Sequence, residues 1–578
     1  MSETAALAEL AKRRGFFFAS NGAYGGTAGF YTYGPEGAAL KRNLEDSWRD
    51  LFVRELGNVE LEAPTVMPEA VFEASGHLDG FDDMIVECAA CGATHRADHL
   101  VEDAVADVED AEALGTERVG ELVAEHDIVC PLCGAALADE PIEAFNLMFG
   151  TNIGPGSASP GYLRPETAQG IFVEFPRLKE YARNQLPFGV AQIGRAYRNE
   201  ISPRRALVRV REFTQAELEH FIDPERDDPP IERVADVEVP LYSASAQNAD
   251  DGGVETHTVR SALEAGILES EWVAYYLGRA MAFYERIGID MDRFRYRQHL
   301  AGERAHYAAD CWDAETELGG NWIEVTGFAY RSDYDLSKHG EYSEDSFTLF
   351  RQYDEPKTVE RAVVDPDMSY LGPEFGGDAA AIAEALEALV GRDRPAFDGD
   401  EVGVELDGEC YTVPVEKTGF AVEERTEAGE HITPHVVEPS FGVDRLVYSV
   451  LIHALETDTV DGEERSFLEL PASMAPTTVA VFPLMTKDGL GDRARSIADR
   501  LRAEGFEVSY DDTGNIGRRY RRQDEVGTPY CVTVDYETQE DDTVTIRERD
   551  STTQTRVPTA KLPEAIRRLV DGATLSAL

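Results

Sequence analysis

The stretch 196-AYRNEISPRRALVRVREFTQAELEHF-221 gathers positive charge in a chain that otherwise lacks it. Between residues 191 and 213, Arg195, Arg198, Arg204, Arg205, Arg209 and Arg211 face only Glu200 and Glu212, a local charge of +4. Guanidinium forks match phosphate oxygens, so the cluster reads as a phosphate site. Taken alone, it reads equally as an arginine-rich hairpin paired to an acidic surface.

Outside this stretch the balance reverses. The 578 residues carry 110 Asp plus Glu against 54 Lys plus Arg, a net charge of −56, and only 8 of the basic residues are lysines. Acidic excess with lysine depletion resembles the proteomes of extreme halophiles, whose surface carboxylates keep proteins hydrated at high salt. As a global average, the charge argues against a nucleic-acid partner. With 43% hydrophobic and 28% charged residues, the chain is expected to fold, and its length allows about three to five structural units. The most apolar window, LVYSVLIHAL at 446–455, falls well short of the ~20 residues that span a bilayer. MSETAALAELAKRR has no apolar h-region, which predicts a cytosolic protein without a membrane segment.

Working outward, the glycine-rich NGAYGGTAGFYTYGPEG leads into a helix with Leu40, Leu44, Trp48, Leu51 and Phe52 at helical spacing. NVELEAPTV follows as an extended segment closed by Pro64. From Phe81 to Phe145 the composition changes. Cys88/Cys91 and Cys130/Cys133 form two CxxC knuckles, four thiolates able to close a tetrahedral Zn²⁺ site. Between them, Val101 to Asp127 carries ten acidic residues and one arginine, an exposed excursion. A redox CxxC pair would need a thioredoxin-like context that is absent. His95 and His99 could replace a ligand, and Cys311, Cys410 and Cys531 read as ordinary buried thiols. Residues 223–260 are polar and proline-containing and read as a surface insertion, and 341–430 as a second acidic one with a helix at AAAIAEALEALVG. After Pro476, apolar strands alternate with helices, the pattern of a small parallel-sheet α/β domain.

In this order the motifs resemble those of class II aminoacyl-tRNA synthetases: the helix, strand and Pro64 their motif 1; RNE with Arg209 ahead of Phe213 their motif 2; FGVDRLVYSVL with Arg445 their motif 3. RRGFFFASNGAYGGTAGFYTYGPEG, GYLRPETAQGIFVEF and EPSFGVDR are similar to glycyl-tRNA synthetases of the homodimeric archaeal and eukaryotic-like type. DDTGNIGRRYRRQDEVGTPYCVTVD resembles that family's anticodon-binding domain. The likeness runs from about residue 10 to 570. It implies an α+β catalytic domain, an antiparallel sheet flanked by helices, with a zinc-ribbon-like insertion and a C-terminal α/β anticodon-binding domain. The implied partition is catalytic core at 1–85, 146–222, 301–340 and 431–472. Insertions fall at 86–145, 223–300 and 341–430, and the anticodon-binding domain at 476–578.

The resemblance implies ATP-dependent attachment of glycine to tRNA(Gly) through glycyl-adenylate, by a homodimer, with Mg²⁺ and structural Zn²⁺. It implies catalytic roles for Arg198, Glu200 and Arg445. Arg198 would meet the α-phosphate, Glu200 the adenine amino group, Phe213 the adenine face, and Arg209 and Arg445 the outer phosphates. Asn199, Val208, Val210, Arg211, Glu212, Val325, Gly442, Val443 and Asp444 complete the expected ATP site. Glu324 and Glu438 would hold Mg²⁺ or nucleotide, and Glu324 also reads as a plain strand-end carboxylate. Glycine has no side chain to read, so its pocket must grip the ammonium with carboxylates and exclude bulk. Glu166, Glu217, Glu438 and Ser440 are expected there, with Phe213, Thr214, Gln215, Ala216, Pro439, Phe441 and Gly442. Arg96 matches a family substrate position, and a structural salt bridge beside the first CxxC is its alternative. Arg518, Arg519, Arg521 and Arg522 would present a basic face to tRNA, with Tyr520 and Tyr510 stacking on bases. Pairing with Asp511, Asp512, Asp524 and Glu525 is the competing reading. Another amino acid, such as proline or threonine, is disfavoured by RPETAQG and EPSFG. A non-catalytic paralogue is disfavoured by the presence of Arg198, Arg209 and Arg445.

Overall fold

The structure, a computed structural model, describes residues 2–105, 108, 111, 114–155, 159–203, 206–249, 252–300, 310–392, 394–406, 409–460 and 462–578. Arg204 and Arg205 lie outside the described residues. Two compact units result, one of residues 1–347 and 434–578 and one of Thr348–Thr433.

The larger unit is built on a nine-stranded sheet. Its strands in chain order are β1 (Val59–Glu60), β2 (Phe188–Tyr197), β3 (Glu212–Ile222), β4 (Glu238–Tyr242), β5 (Glu255–Thr258), β6 (Phe294–Gln298), β7 (Asp310–Leu318), β8 (Asn321–Ser332) and β9 (His435–Gly442). They lie in the order β5-β4-β6-β7-β8-β9-β3-β2-β1. All pairings are antiparallel except β1 with β2 and β4 with β6. One face packs on helices α1 (Pro35–Trp48), α2 (Glu271–Ile287) and α3 (Val443–His453). Pro35 at the first turn fixes the entry of α1, and Leu40, Leu44 and Trp48 deliver its buried stripe. The opposite face carries the polar side chains described below.

Segment 223–300, expected as a surface insertion, instead contributes β4, β5 and β6 to the sheet and α2 to the core. The reason lies in α2, which is capped by Ser270 at one end and left-handed Gly288 at the other. It buries Trp272, Tyr275, Tyr276, Phe283 and Tyr284 against the sheet. At ~1.5–3 kcal/mol per large apolar side chain, this is a main support of the domain.

A three-stranded sheet (Asp82–Glu87, Thr94–Arg96, Ile142–Asn146) carries the CxxC knuckles. Helices Ala97–Ala104 and Gly115–Glu125 form the acidic excursion between them and give the module its own small core. At the C-terminus β10 (Val479–Pro483), β11 (Val508–Tyr510), β12 (Tyr530–Val534), β13 (Thr543–Glu548) and β14 (Gln554–Pro558) order as β11-β10-β12-β13-β14. The first three are parallel, with α4 (Leu490–Ala503), α5 (Ile516–Asp524) and α6 (Leu562–Val570) around them. The smaller unit holds two two-stranded antiparallel sheets, Leu349–Val363 with Ala421–Ile432 and the hairpin Glu401–Leu406 with Glu409–Pro414, and the helix Ala379–Arg392, at the position read from AAAIAEALEALVG. Cys531 is buried as expected, Cys311 is partly buried, and Cys410 is exposed on a hairpin of this smaller unit. Among the described residues no helix is long and apolar enough to cross a membrane.

Candidate active site and metal centre

The strands β2 and β3 pair in unbroken register from Phe188↔Phe221 to Tyr197↔Glu212, and described residues of the connection between them line a cleft. Gly29, with φ at +79°, lets the N-terminal hairpin, Phe17–Ala19 paired with Tyr31–Tyr33, close on this connection. A Cβ there would lie 2.9 Å from Pro203 and 3.1 Å from Arg211. Arg198, Glu200, Val208, Arg209, Val210 and Phe213 line the cleft from one side, and Glu324, Val325, Gly442 and Arg445 from the other. The Arg198 guanidinium lies 5.5 Å from the Phe213 ring centre, and its Nε donates to the Pro165 carbonyl at 3.2 Å. Arg209 pairs with Glu200. Arg445 donates to the Val208 carbonyl at 3.1 Å and reaches the Glu324 carboxylate at 3.1 Å. Two of the cleft's cations, Arg209 and Arg445, are thus paired with carboxylates that also line it.

Beside the cleft lies a pocket of carboxyl groups. Glu217 accepts from Thr167, from Gln215 at 2.9 Å and from Ser440 at 2.7 Å. Gln215 and Ser440 also line the cleft, so they join the two spaces. Glu166 accepts from Gln169 at 2.9 Å, with His77 3.7 Å away. Burial would raise the Glu166 carboxyl, yet His77, Arg331 and Gln169 hold it below the usual range. Burial, reinforced by Glu166, raises Glu217. Glu438 is buried and accepts from Arg331 at 2.9 Å. It is not among the residues that line the cleft, whereas Glu324 is, with its side chain 51% exposed.

Several expected residues face elsewhere, because consecutive residues of a strand alternate between faces. Ala216, Phe441 and Val443 belong to the core, and Pro439 is buried beside Phe441. Thr214 and Asp444 do line the cleft; the Thr214 backbone N–H donates to Asp444, which also accepts from Tyr33, so Asp444 ties the N-terminal strands to β3 and α3. Glu212 pairs loosely with Arg195, the Asn199 N–H is held by the Leu147 carbonyl, and Arg211 binds the carbonyls of Glu200 and Ala28. Arg96 is buried between Asp83 and Asp98, and Asp83 lies 3.9 Å from Arg209, so Asp83 links Arg96 to the cleft. Sequence reading missed Arg331 and Glu219. The two-residue period from Glu217 could have found Glu219, whereas Arg331 has no local signature.

Cys88 Sγ lies 3.6 Å from Cys133 Sγ, and Cys91 Sγ 3.7 Å from Cys130 Sγ, with all four within 4.8 Å of one another. A disulfide would need about 2.05 Å, whereas a tetrahedron of Zn–S bonds of about 2.3 Å has edges of roughly 3.8 Å. Both knuckles turn at left-handed glycines, Gly92 and Gly134, each donating its N–H to the first cysteine's carbonyl. The four thiols therefore fit zinc. His95 Nε2, 3.2 Å from Cys130 Sγ, is a neighbour of the set. His299, Cys311 and Asp313 also converge. Their His299–Asp313 contact of 2.7 Å is a hydrogen bond, shorter than the roughly 3.3 Å donor edge of a tetrahedral N/O site.

The arginines of α5 do not share one basic face. Arg519 is buried and binds the carbonyls of Pro483, Asp512 and Gly514. Arg522 pairs with Asp511, and Arg521 with Glu463. Tyr520 is tied to Thr533, and Tyr510 to Asp512. Arg518 alone of the four is exposed with no side-chain partner among the described residues.

An antiparallel sheet with an arginine-lined cleft at motifs 2 and 3, followed by a parallel α/β domain, defines a class II aminoacyl-tRNA synthetase. Residues 159–310 match the tRNA synthetase class II core domain (G, H, P, S and T), and 478–569 the anticodon binding domain. Prolyl-tRNA synthetase from Cryptosporidium parvum, solved with L-proline and AMP, shares the fold, with a TM-score of 0.52, 10% identity, and coverage of 99% of this chain and 79% of that one. The glycine–tRNA ligase of Methanothrix thermoacetophila is 49% identical over 571 residues, 98% of this chain and 97% of that one. That of Archaeoglobus fulgidus is 47% identical over 567 residues, 98% and 96% of the two chains. The chain belongs to the archaeal-type glycine–tRNA ligase family.

Proposed function

We propose that this chain attaches glycine to the 3′ end of tRNA(Gly) at the expense of ATP. A glycine carboxylate oxygen attacks the α-phosphorus and pyrophosphate leaves. The terminal adenosine hydroxyl of tRNA then attacks the glycyl carbonyl and AMP leaves. No protein nucleophile is needed, and the work is positioning and charge stabilisation. The observation that carries this reading is the arginine cleft and carboxylate pocket joined through Gln215 and Ser440. Arg198 faces the charge growing on the α-phosphate, Phe213 stacks on adenine, and Glu200 accepts from its amino group. Arg209 and Arg445 exchange their carboxylate partners for the outer phosphates. Glu166, Glu217 and Glu438 grip the ammonium.

Mg²⁺ supplies charge neutralisation on the leaving phosphates, and Glu324 is the exposed carboxylate of the cleft suited to it. Zn²⁺ on Cys88, Cys91, Cys130 and Cys133 is structural, since four thiolates leave no open position. The remaining readings are a homodimer in the cytosol of a halophile, with the C-terminal domain on the anticodon and Arg518 as its free cation on α5. ATP–pyrophosphate exchange across a panel of amino acids in molar KCl tests the activity. Exchange with glycine alone is expected. Exchange with another amino acid reassigns the substrate, and none at all indicates a non-catalytic paralogue.

A further inference from the structure

Glu219 follows Glu217 by two residues on β3, so both side chains lie on the same face of the sheet. The register of β3 on β9, with Glu217↔Ser440 and His220↔Val437, sets Glu219 directly across from Glu438. Glu219 is wholly buried, at 0% exposure, and neither carboxyl oxygen has a hydrogen-bond partner. The nearby cation, Arg331 on β8, is divided between Asp335, at 2.7 and 2.9 Å, and Glu438, at 2.9 Å. Around Glu219 therefore stand Glu217 on its own strand, Glu438 on β9, Arg331 on β8 and Asp335 on the helix Tyr334–Tyr342. Glu166, with His77, lies farther out. Two facing buried carboxyls with one shared arginine cannot both ionise without a further positive charge.

We propose that Glu219 is the proton store of the amino-acid pocket: neutral in the free protein, it gives up its proton to solvent when the ammonium of glycine enters. This rests on the glycine-activating reading above. One positive charge replaces another. Burial and the neighbouring carboxyls raise Glu438 too, to about 8, but its direct pairing with Arg331 makes it the first of the two to ionise, and Glu219 becomes an additional carboxylate facing the ammonium. Burial and the charges of Glu438, Glu217 and Asp335 all push the Glu219 carboxyl upward, with Arg331 alone opposing them. Glu219 is thus a positioning residue whose charge state follows pocket occupancy.

Glu219→Gln keeps the shape and fixes the neutral state. Infrared difference spectra at about pH 8 in molar KCl should show a neutral carboxylic acid carbonyl band in the free wild type that is weaker in E219Q, and the glycine-induced loss of this band should be smaller in E219Q than in the wild type. Calorimetry in buffers of different ionisation enthalpy should give about one proton released per glycine for the wild type and close to none for E219Q. The KM for glycine should rise roughly three- to tenfold in E219Q at about pH 8 and lose its pH dependence, with kcat changing less than about twofold. Equal proton counts in the two proteins, or a wild-type spectrum lacking the band, overturns the proposal. Wild-type glycine-dependent exchange in the same preparation separates the two levels. Exchange without proton release removes only the proton store, and absence of exchange removes the reading beneath it.

Discussion

Glu166 is held ionised by what surrounds it: Gln169 donates to it, and His77 and Arg331 offset its burial. An ammonium entering the pocket meets a ready charge that needs no reorganisation. Glu166→Ala should therefore lower glycine-dependent exchange by at least about 100-fold, in line with the 2–5 kcal/mol lost when one member of a buried charge pair is removed. ATP binding, followed by equilibrium dialysis, should stay within about twofold, and unchanged exchange would take Glu166 out of the pocket. His220, also on β3, serves the fold instead. Its Nδ1 meets the Tyr276 hydroxyl at 2.7 Å, its Nε2 is buried without a partner, and burial pulls its pKa down to about 4. The unfolded chain takes up this proton near pH 6.5, so stability from this group is full above that value and drains as pH falls toward 4, by at most about 3 kcal/mol. Denaturant midpoints between about pH 7 and 4.5 should fall less steeply for His220→Phe than for wild type. Parallel slopes would mean that His220 charges freely in the native state. At this scale the sequence carried motif residues such as Arg198 and Arg445, because each sits in an ordered local string. Glu219 and Arg331 escaped because their meaning comes from partners on β9 and on the helix Tyr334–Tyr342, which no local string reveals.

Strand alternation explains the largest misreading among the elements. Resemblance transferred whole runs, 212–217 and 438–444, to the site. A strand can present only every second residue, so Phe213, Gln215, Glu217 and Glu219 go one way while Ala216 and Leu218 join the core. Segment 223–260 was read as a surface insertion because it is polar and proline-containing, but it supplies the strands β4 and β5, whose few buried side chains leave little apolar signal. The cysteine knuckles were legible because spacing, glycines and chemistry agree. The knuckle sheet also carries Arg96, and through Asp83 it reaches Arg209 in the cleft. Metal loss should therefore be felt beyond the module. Chelation or Cys88→Ser should release one zinc per chain by elemental analysis, and the KM for ATP should rise several-fold as Asp83 loses its support. Loss of zinc with unchanged ATP kinetics would confine the metal to local folding.

Over the whole molecule, net charge and function pull in opposite directions, and the placement of arginine reconciles them. A chain at −56 repels polyanions at long range and repels itself. Where cations are needed, they come as arginines already held in pairs: Arg209 on Glu200, Arg445 on Glu324, Arg465 and Arg547 on Asp524. Such pairs neutralise charge locally and act over contact distances, so they survive the Debye length of about 3 Å found at 1 M salt. Exposed carboxylates without a paired cation need counterions. Unfolding temperature should therefore climb steeply between about 0.1 and 1 M KCl and flatten above it, because screening removes self-repulsion over that range while the buried pairs are little affected. If an interface between two copies brings more acidic surface together, the dimer should depend on salt in the same way. Light scattering should then report twice the chain mass in molar KCl and a shift toward the single chain as salt is withdrawn. A salt-independent unfolding temperature would mean that the acidic surface is balanced by internal pairs alone. A single-chain mass at every salt concentration would remove the homodimer.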